Sequence, residues 1–172
     1  MILGAKAMKA SNVKPIPEAY RTLTPFLTVH NAVQIIEFYK EAFGAEERYR
    51  MMTPDNQWVA HAELKIGDSV FMLSDEMPGQ ECRAPESLGG TSVVFYLYVE
   101  DVDAAFERAV EAGATIKRPV QDMFWGDRTG EVFDPSGHLW TLATHVEDLS
   151  PEEMAERGQK AFEKMMQEAG HP

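Results

Sequence analysis

The spacing of apolar and polar residues changes period along this chain, and each change marks an element. TPFLTVH, residues 24–30, alternates with the period of two that a strand requires. NAVQIIEFYKEAFGA then sets Ala32, Ile35, Ile36, Tyr39 and Phe43 on one stripe at helical spacing, with Asn31 as N-cap and Gly44 as stop. EERYRMMT, WVAHAELKIG and DSVFMLSDE return to strand alternation, and MPGQECRAPESLGG, rich in glycine and proline, interrupts. The same order then recurs. SVVFYLYVE predicts a strand, DVDAAFERAVEAGA a helix capped by Asp101 and ended at Gly113, and TIKRPVQDMFW, DRTGEVFD and HLWTLATHV three more strands.

The recurrence is a repeat of βαβββ. Val29 before the first helix corresponds to Val99 before the second, Gly44 to Gly113, and Phe71-Met72-Leu73 to Trp140-Thr141-Leu142, at separations of 69 or 70 residues. Each half-unit would expose an apolar strand face it cannot bury alone, so the two are expected to pair into one sheet. The turn DPSG, residues 134–137, is explained by turn geometry and receives no chemical role. Residues 1–21, with Pro15 and Pro17, read as an extended arm. The tail SPEEMAERGQKAFEKMMQEAG opens with a capping box, Ser150 to Glu153, and aligns Met154, Phe162, Met165, Met166 and Ala169 on one face. That face is expected to pack on the core, on a sheet edge or on a partner subunit.

Composition narrows the function. With 172 residues and 44% hydrophobic content, the chain can bury a sizeable core. A net charge of −12 argues against nucleic acid or an anionic membrane as partner, since like charges repel. No apolar run approaches the roughly 18 residues of a membrane span, and the start is too weakly apolar for a secretory signal, so the expected location is the cytoplasm. Cys82 is the only cysteine, which excludes an internal disulfide or a thiolate metal cluster and marks it as a bystander thiol.

TPFLTVHNAVQIIEFYKEAFGAE, SVVFYLYVEDVDAAFERAVEAGA and FWGDRTGEVFDPSGHLWTLATH together resemble the vicinal oxygen chelate superfamily of glyoxalases, bleomycin-resistance proteins and extradiol dioxygenases. HAELKIGDSVFMLSDE is most similar to its PhnB-like branch. The resemblance covers residues 22–148. It implies an α+β fold in which two tandem βαβββ modules, 22–76 and 92–148, form a curved eight-stranded mixed sheet with a concave cavity. A linker at 77–91 joins them, and a C-terminal amphipathic helix, 149–172, follows. A homodimer is also implied. Metal-dependent members carry His and Glu at inward positions on the first and fourth strands, and matching this pattern selects Thr24, Met72, Val94 and Thr141. Hydroxyls, a thioether and an isopropyl group are poor ligands for a hard cation, so no metal and no other cofactor is expected.

If those positions face the cavity, alternation adds others. Val59, His61, Glu63 and Lys65 would point inward, as would Phe26, Thr28, Tyr96, Tyr98, Arg128, Ala143 and His145, with Phe124 and Trp125 at the rim. His61 and Glu63 are the candidate catalytic pair, His61 as general base, set against a solvated or structurally paired histidine. Phe26, Met72, Tyr96, Tyr98, Trp125, Arg128 and Thr141 are the candidate ligand-binding residues. Arg128 would grip a carboxylate or phosphate, or else pair with Asp127 or Glu63. Trp125 would stack on a planar ligand, or pack at a dimer interface. His30, His138, His145 and His171 are too scattered to form a metal set. The expected function is metal-independent binding of a small planar organic molecule. The alternatives are a glyoxalase-like lyase or isomerase, with a displaced metal or proton transfer by His61, and a regulatory protein acting through its tail helix.

Overall fold

A computed structural model describes residues 13–168 and 170. The first twelve residues of the arm, Ala169 of the tail stripe and His171 lie outside them. The elements follow the repeat: β1 Phe26–Val29, α1 Ala32–Phe43, β2 Glu46–Met52, β3 Val59–Ile66 and β4 Ser69–Asp75 make one module. A short α2, Pro85–Leu88, lies in the linker. The second module is β5 Val94–Tyr98, α3 Val102–Glu111, β6 Thr115–Asp122, β7 Asp127–Phe133 and β8 Leu139–His145, followed by α4 Pro151–Glu168.

The fold is α+β with tandem modules. Each module forms its own four-stranded mixed sheet, in the orders β1-β4-β3-β2 and β5-β8-β7-β6, rather than a share of one continuous ladder. The pairs β1/β4 and β5/β8 are parallel and the others antiparallel. The two sheets are held together by packing. Leu27, Val29, Ile36, Leu64 and Leu73 from the first module share one core with Val102, Phe106, Val132, Trp140 and Leu142 from the second.

The DPSG turn carries more than the turn geometry expected of it. Asp134, only 4% exposed, accepts from the backbone N–H of Ser136 and His138 at 2.9 Å each and from Trp140 Nε1 at 3.0 Å. Its fourth donor is the hydroxyl of Tyr39, at 2.6 Å, which comes from α1 of the other module. Ser136 Oγ accepts from the N–H of His30, again across the modules, at 2.9 Å. Burial opposes the charge on Asp134, yet the His138 ring 3.6 Å away and the bonds from Tyr39 and Trp140 hold its carboxyl below the usual range. Burial, then the Asp134 charge, pushes the Tyr39 hydroxyl well up. Around this clamp Trp140 packs against Phe43 at 4.8 Å and Tyr39 at 5.4 Å between ring centres.

Two local expectations are corrected. Asn31 does not cap α1: it takes a left-handed conformation, φ 52°, and its side chain makes no capping bond. The role falls to Asp75 at the end of β4, whose Oδ1 accepts from the N–H of Ala32 and Oδ2 from that of Val59, both at 2.7 Å. In the second module Asp101 caps α3 as expected, accepting from the Ala104 N–H, and Thr144 at the end of β8 takes the Val102 N–H. Val59 does not face the open side. Met51 pairs with His61 and Met52 with Val59, so Ala60 bulges, alternation inverts there, and Val59 is fully buried in the core.

The capping box of α4 forms in both directions, Ser150 N–H to Glu153 Oε2 at 2.9 Å and Glu153 N–H to Ser150 Oγ at 3.2 Å. The helix docks on the β6–β7 turn, where Gly158 lies under the Phe124 ring and Phe162 packs 6.4 Å from it. Met165 and Met166 stay about half exposed, at 53% and 47%.

Replacing Tyr39 with Phe removes one donor from the buried Asp134 carboxylate without changing ring volume. We expect a loss of about 1–3 kcal/mol in unfolding free energy, measured by urea titration. An unchanged midpoint would show that the clamp does not hold the modules.

Candidate functional site

Each sheet has one face under the helices and one open face. On the second module the open face is built around Asp127, the first residue of β7. Register places it opposite His145, while Tyr98 lies opposite Ala143 and Tyr96 opposite Thr141 on β8. Asp127 is 3% exposed, and its Oδ2 accepts from Tyr98 OH at 3.0 Å, Tyr96 OH at 3.1 Å and Trp125 Nε1 at 3.2 Å. Oδ1 stands 2.8 Å from His145 Nδ1, and the other ring nitrogen of His145 is 3.0 Å from Asp148 Oδ1.

This network sets the protonation states. Burial alone would raise the Asp127 carboxyl, but the bonds from His145, Tyr98, Tyr96 and Trp125 prevail and hold it below its usual range. Burial and the Asp127 carboxylate push the Tyr96 hydroxyl up to about 12. The bond to Asp127, followed by burial, raises Tyr98. His145 is raised by its bonds to Asp127 and Asp148, which favour the doubly protonated ring. The rings themselves remain accessible: Tyr96 and Tyr98 lie 5.2 Å apart with 44% and 61% of their surface exposed.

Trp125 is held from the far side as well. Phe124, wedged against Gly158 of α4, meets the Trp125 ring edge to face at 4.9 Å. Between Trp125 and Asp127, Gly126 has φ +92° and its carbonyl accepts from the N–H groups of Val146 and Glu147. Glu147 in turn forms a two-pronged ion pair with Arg157 of α4.

Arg128 is the residue that parity misplaces. It pairs with Thr144, on the helix-covered face, and its guanidinium grips Asp103 of α3 at 2.8 Å through two nitrogens and Asp122 at 2.9 Å through the third. The face expected of Arg128 belongs to its neighbour Asp127, which pattern alone offers only as a partner for the arginine. The inward assignment of His145 carried the missing signal, because the residue opposite it on β7 shares its face. Thr141 is buried on the open side, opposite Tyr96 and Glu131, and Glu131 is engaged by Arg118 and Lys117.

The other candidates lie on the first module. Met72 is flanked by Phe26 on β1 and Glu63 on β3. His61 sits between the rings of Phe26 and Tyr49, and its Nε2 is 3.6 Å from Glu63 Oε1, beyond hydrogen-bond reach. The arm approaches here: burial and then Glu63 raise the Tyr20 hydroxyl. The sequence-derived set therefore divides into Phe26, His61, Glu63 and Met72 on one sheet and Tyr96, Tyr98, Trp125 and Thr141 on the other.

Of the four positions matched to metal ligands, Thr24 precedes β1 and donates its hydroxyl to the Arg21 carbonyl, and Val94 is half exposed beside Leu139. Among the described residues no three His, Cys, Asp or Glu side chains are arranged to hold a metal ion. The donor chemistry at these positions does not fit a hard divalent cation. Two cavities flank the seam between β1 and β5. One of about 280 Å³ is lined by Leu23, Pro25, Phe71 and Trp140. The other, about 470 Å³, is lined by Phe26, Thr28, Arg83 and His138.

Two βαβββ units with parallel β1/β4 and β5/β8 edges define the class of fold shared by glyoxalases and their relatives. Residues 22–142 match the model of the Glyoxalase/Bleomycin resistance protein/Dioxygenase superfamily, and the chain belongs to that family. It is 43% identical over 148 residues to an uncharacterised protein of Mycobacterium bovis, an alignment covering 84% of this chain and 93% of the relative. Among solved structures it is similar to TioX from Micromonospora sp. ML1, at 30% identity and a TM-score of 0.57, covering 72% of this chain and 98% of that one. The PhnB protein of Bacillus cereus shares the fold at 20% identity and a TM-score of 0.57, covering 72% and 99%. No helix among the described residues is long and apolar enough to cross a membrane.

Two measurements test the site. Folding raises the His145 pKa through Asp127 and Asp148, so its bridge contributes fully below the ordinary histidine value of about 6.5 and is lost as pH rises through the higher folded value. An NMR titration of the His145 ring should give a midpoint above that value, returning toward it in Asp127→Asn. Truncation after Leu149 removes α4 from Phe124 and should red-shift and broaden tryptophan emission. Identical emission from the shortened chain would show that α4 does not hold Trp125.

Proposed function

We propose that this protein binds a small planar organic molecule on the open faces of its sheets, without a metal, in a homodimer whose second copy covers the site. The observation that carries this reading is Asp127. A buried, ionised carboxylate takes one bond each from Tyr96, Tyr98 and Trp125, so three aromatic side chains are fixed in orientation while two keep much of their ring surface free. Rigid aromatic surface fixed in advance lowers the entropic cost of binding and favours stacking on a flat ligand. Phe26 and Met72 extend the apolar surface on the first module, with Thr141 beneath Tyr96. Exposed Phe26, Tyr49, Met51, Val94 and Tyr98 support a second copy as cover, because so much apolar area is costly to leave in water. A lone exposed thiol, Cys82, suits the reducing cytoplasm.

A lyase or isomerase using His61 as base has weaker support. Its carboxylate partner Glu63 is too far away to orient the ring, whereas His145 is oriented by Asp127 but has both ring nitrogens engaged.

The test uses chelator-treated protein and a panel of planar heteroaromatics, followed by intrinsic fluorescence. At least one compound should bind with no metal added. The triple variant Trp125→Leu, Tyr96→Leu, Tyr98→Leu should lose tenfold or more in affinity, given about 0.5–1.5 kcal/mol per aromatic contact. Equal binding by a folded triple variant would refute the assigned surface.

A further inference from the structure

The hydrogen-bond inventory around Asp127 restricts what can bind there. A tyrosine hydroxyl has one proton to give, and both Tyr96 and Tyr98 give theirs to Asp127 Oδ2. The indole N–H of Trp125 goes to the same oxygen. Both ring nitrogens of His145 face carboxylates, Asp127 and Asp148. What these side chains still offer outward is hydroxyl lone pairs and aromatic faces, which accept protons or attract positive charge but cannot donate.

The cations nearby are committed elsewhere. Arg128, the residue that sequence would use to grip an anion, lies on the opposite face between Asp103 and Asp122. Arg118, on the open face, directs one terminal nitrogen to Met123 Sδ and the other to Thr129 and Glu131. Lys117 pairs with Glu131 and sits over the Phe133 ring. Within the cluster itself two carboxylates, Asp127 and Asp148, stand against one imidazolium, and the whole chain carries a net charge of −12.

We infer that the ligand of the Tyr96, Tyr98 and Trp125 surface is a planar organic cation that donates hydrogen bonds, of the protonated amino-heteroaromatic class, and that flat carboxylates and phosphates are rejected. The inference rests on the planar-ligand reading and adds the sign of the charge. A flat anion would meet electron-rich ring faces and oxygen lone pairs, with no proton free on Tyr96, Tyr98, Trp125 or His145 to replace its lost water. A flat cation gains from both.

Three acridines of matched shape test it on chelator-treated full-length protein at neutral pH: the 9-aminoacridine cation, neutral acridine, and the acridine-9-carboxylate anion. The cation should bind about tenfold or more tightly than the anion, with the neutral compound between them. Tyr98→Leu, with its fold verified by circular dichroism because it removes a donor from Asp127, should remove most of the cation's advantage. If the anion binds as well as the cation or better, the charge assignment is wrong while the planar-ligand reading stands. If none of the three binds, the planar-ligand reading itself fails. A cation preference left intact in both Tyr98→Leu and Trp125→Leu would mean that the preference arises elsewhere and would overturn the assignment.

Discussion

At the junction of the two modules a carboxylate is sealed from water with four donors around it, and one of them crosses the junction. Asp134 collects two backbone N–H groups from its own turn, the indole of Trp140 and the phenol of Tyr39. Left without partners, a charge at that depth would cost several kcal/mol. With them, it requires α1 of the first module to sit where Tyr39 can reach. No strand ladder among the described residues connects the two sheets, so this bond, the His30–Ser136 bond and the shared apolar core around Trp140 determine how the modules meet. That relation in turn sets the position of one open face relative to the other.

The same device is used three times. Asp75, Asp127 and Asp134 are each at most 4% exposed. Asp75 ties the start of α1 to the start of β3. Asp134 ties module to module. Asp127 differs in what it gathers, since none of its donors is backbone and all four belong to side chains with chemistry of their own. A carboxylate that binds backbone stabilises a fold, whereas one that binds two phenols, an indole and an imidazole orients a surface. For this reason the open face of the second module, rather than the His61 and Glu63 pair, is the better candidate for ligand binding.

The repeat was legible because period and capping are local. A stripe at helical spacing, Asp101 before α3 and Ser150 with Glu153 at α4 need only a few neighbouring residues to be recognised. Face assignment failed wherever register came from elsewhere in the chain. One bulged residue, Ala60, sends Val59 into the core, and the pairing of β7 with β8 exchanges the faces of Asp127 and Arg128. Asn31 is a good cap by residue type, but the carboxylate that does the work lies 43 residues beyond Ala32, out of reach of any local pattern. Aromatic residues depend less on distant register: Tyr96, Tyr98 and Trp125 converge, while the group they converge on, Asp127, is set by strand pairing with His145.

Gly126 has a further consequence. A side chain there would place its first carbon 2.2 Å from the carbonyl oxygen of Glu147, so the path of the polypeptide out of β8 crosses directly over this turn. The segments holding Gly126 and Glu147 are thus threaded through one narrow saddle, with the candidate site on one flank and the root of α4 on the other. The root of the tail therefore packs against the one turn that carries Trp125 on one side of the glycine and Asp127 on the other. The terminal helix thus shares its anchorage with the floor of the site, through Glu147 and Arg157.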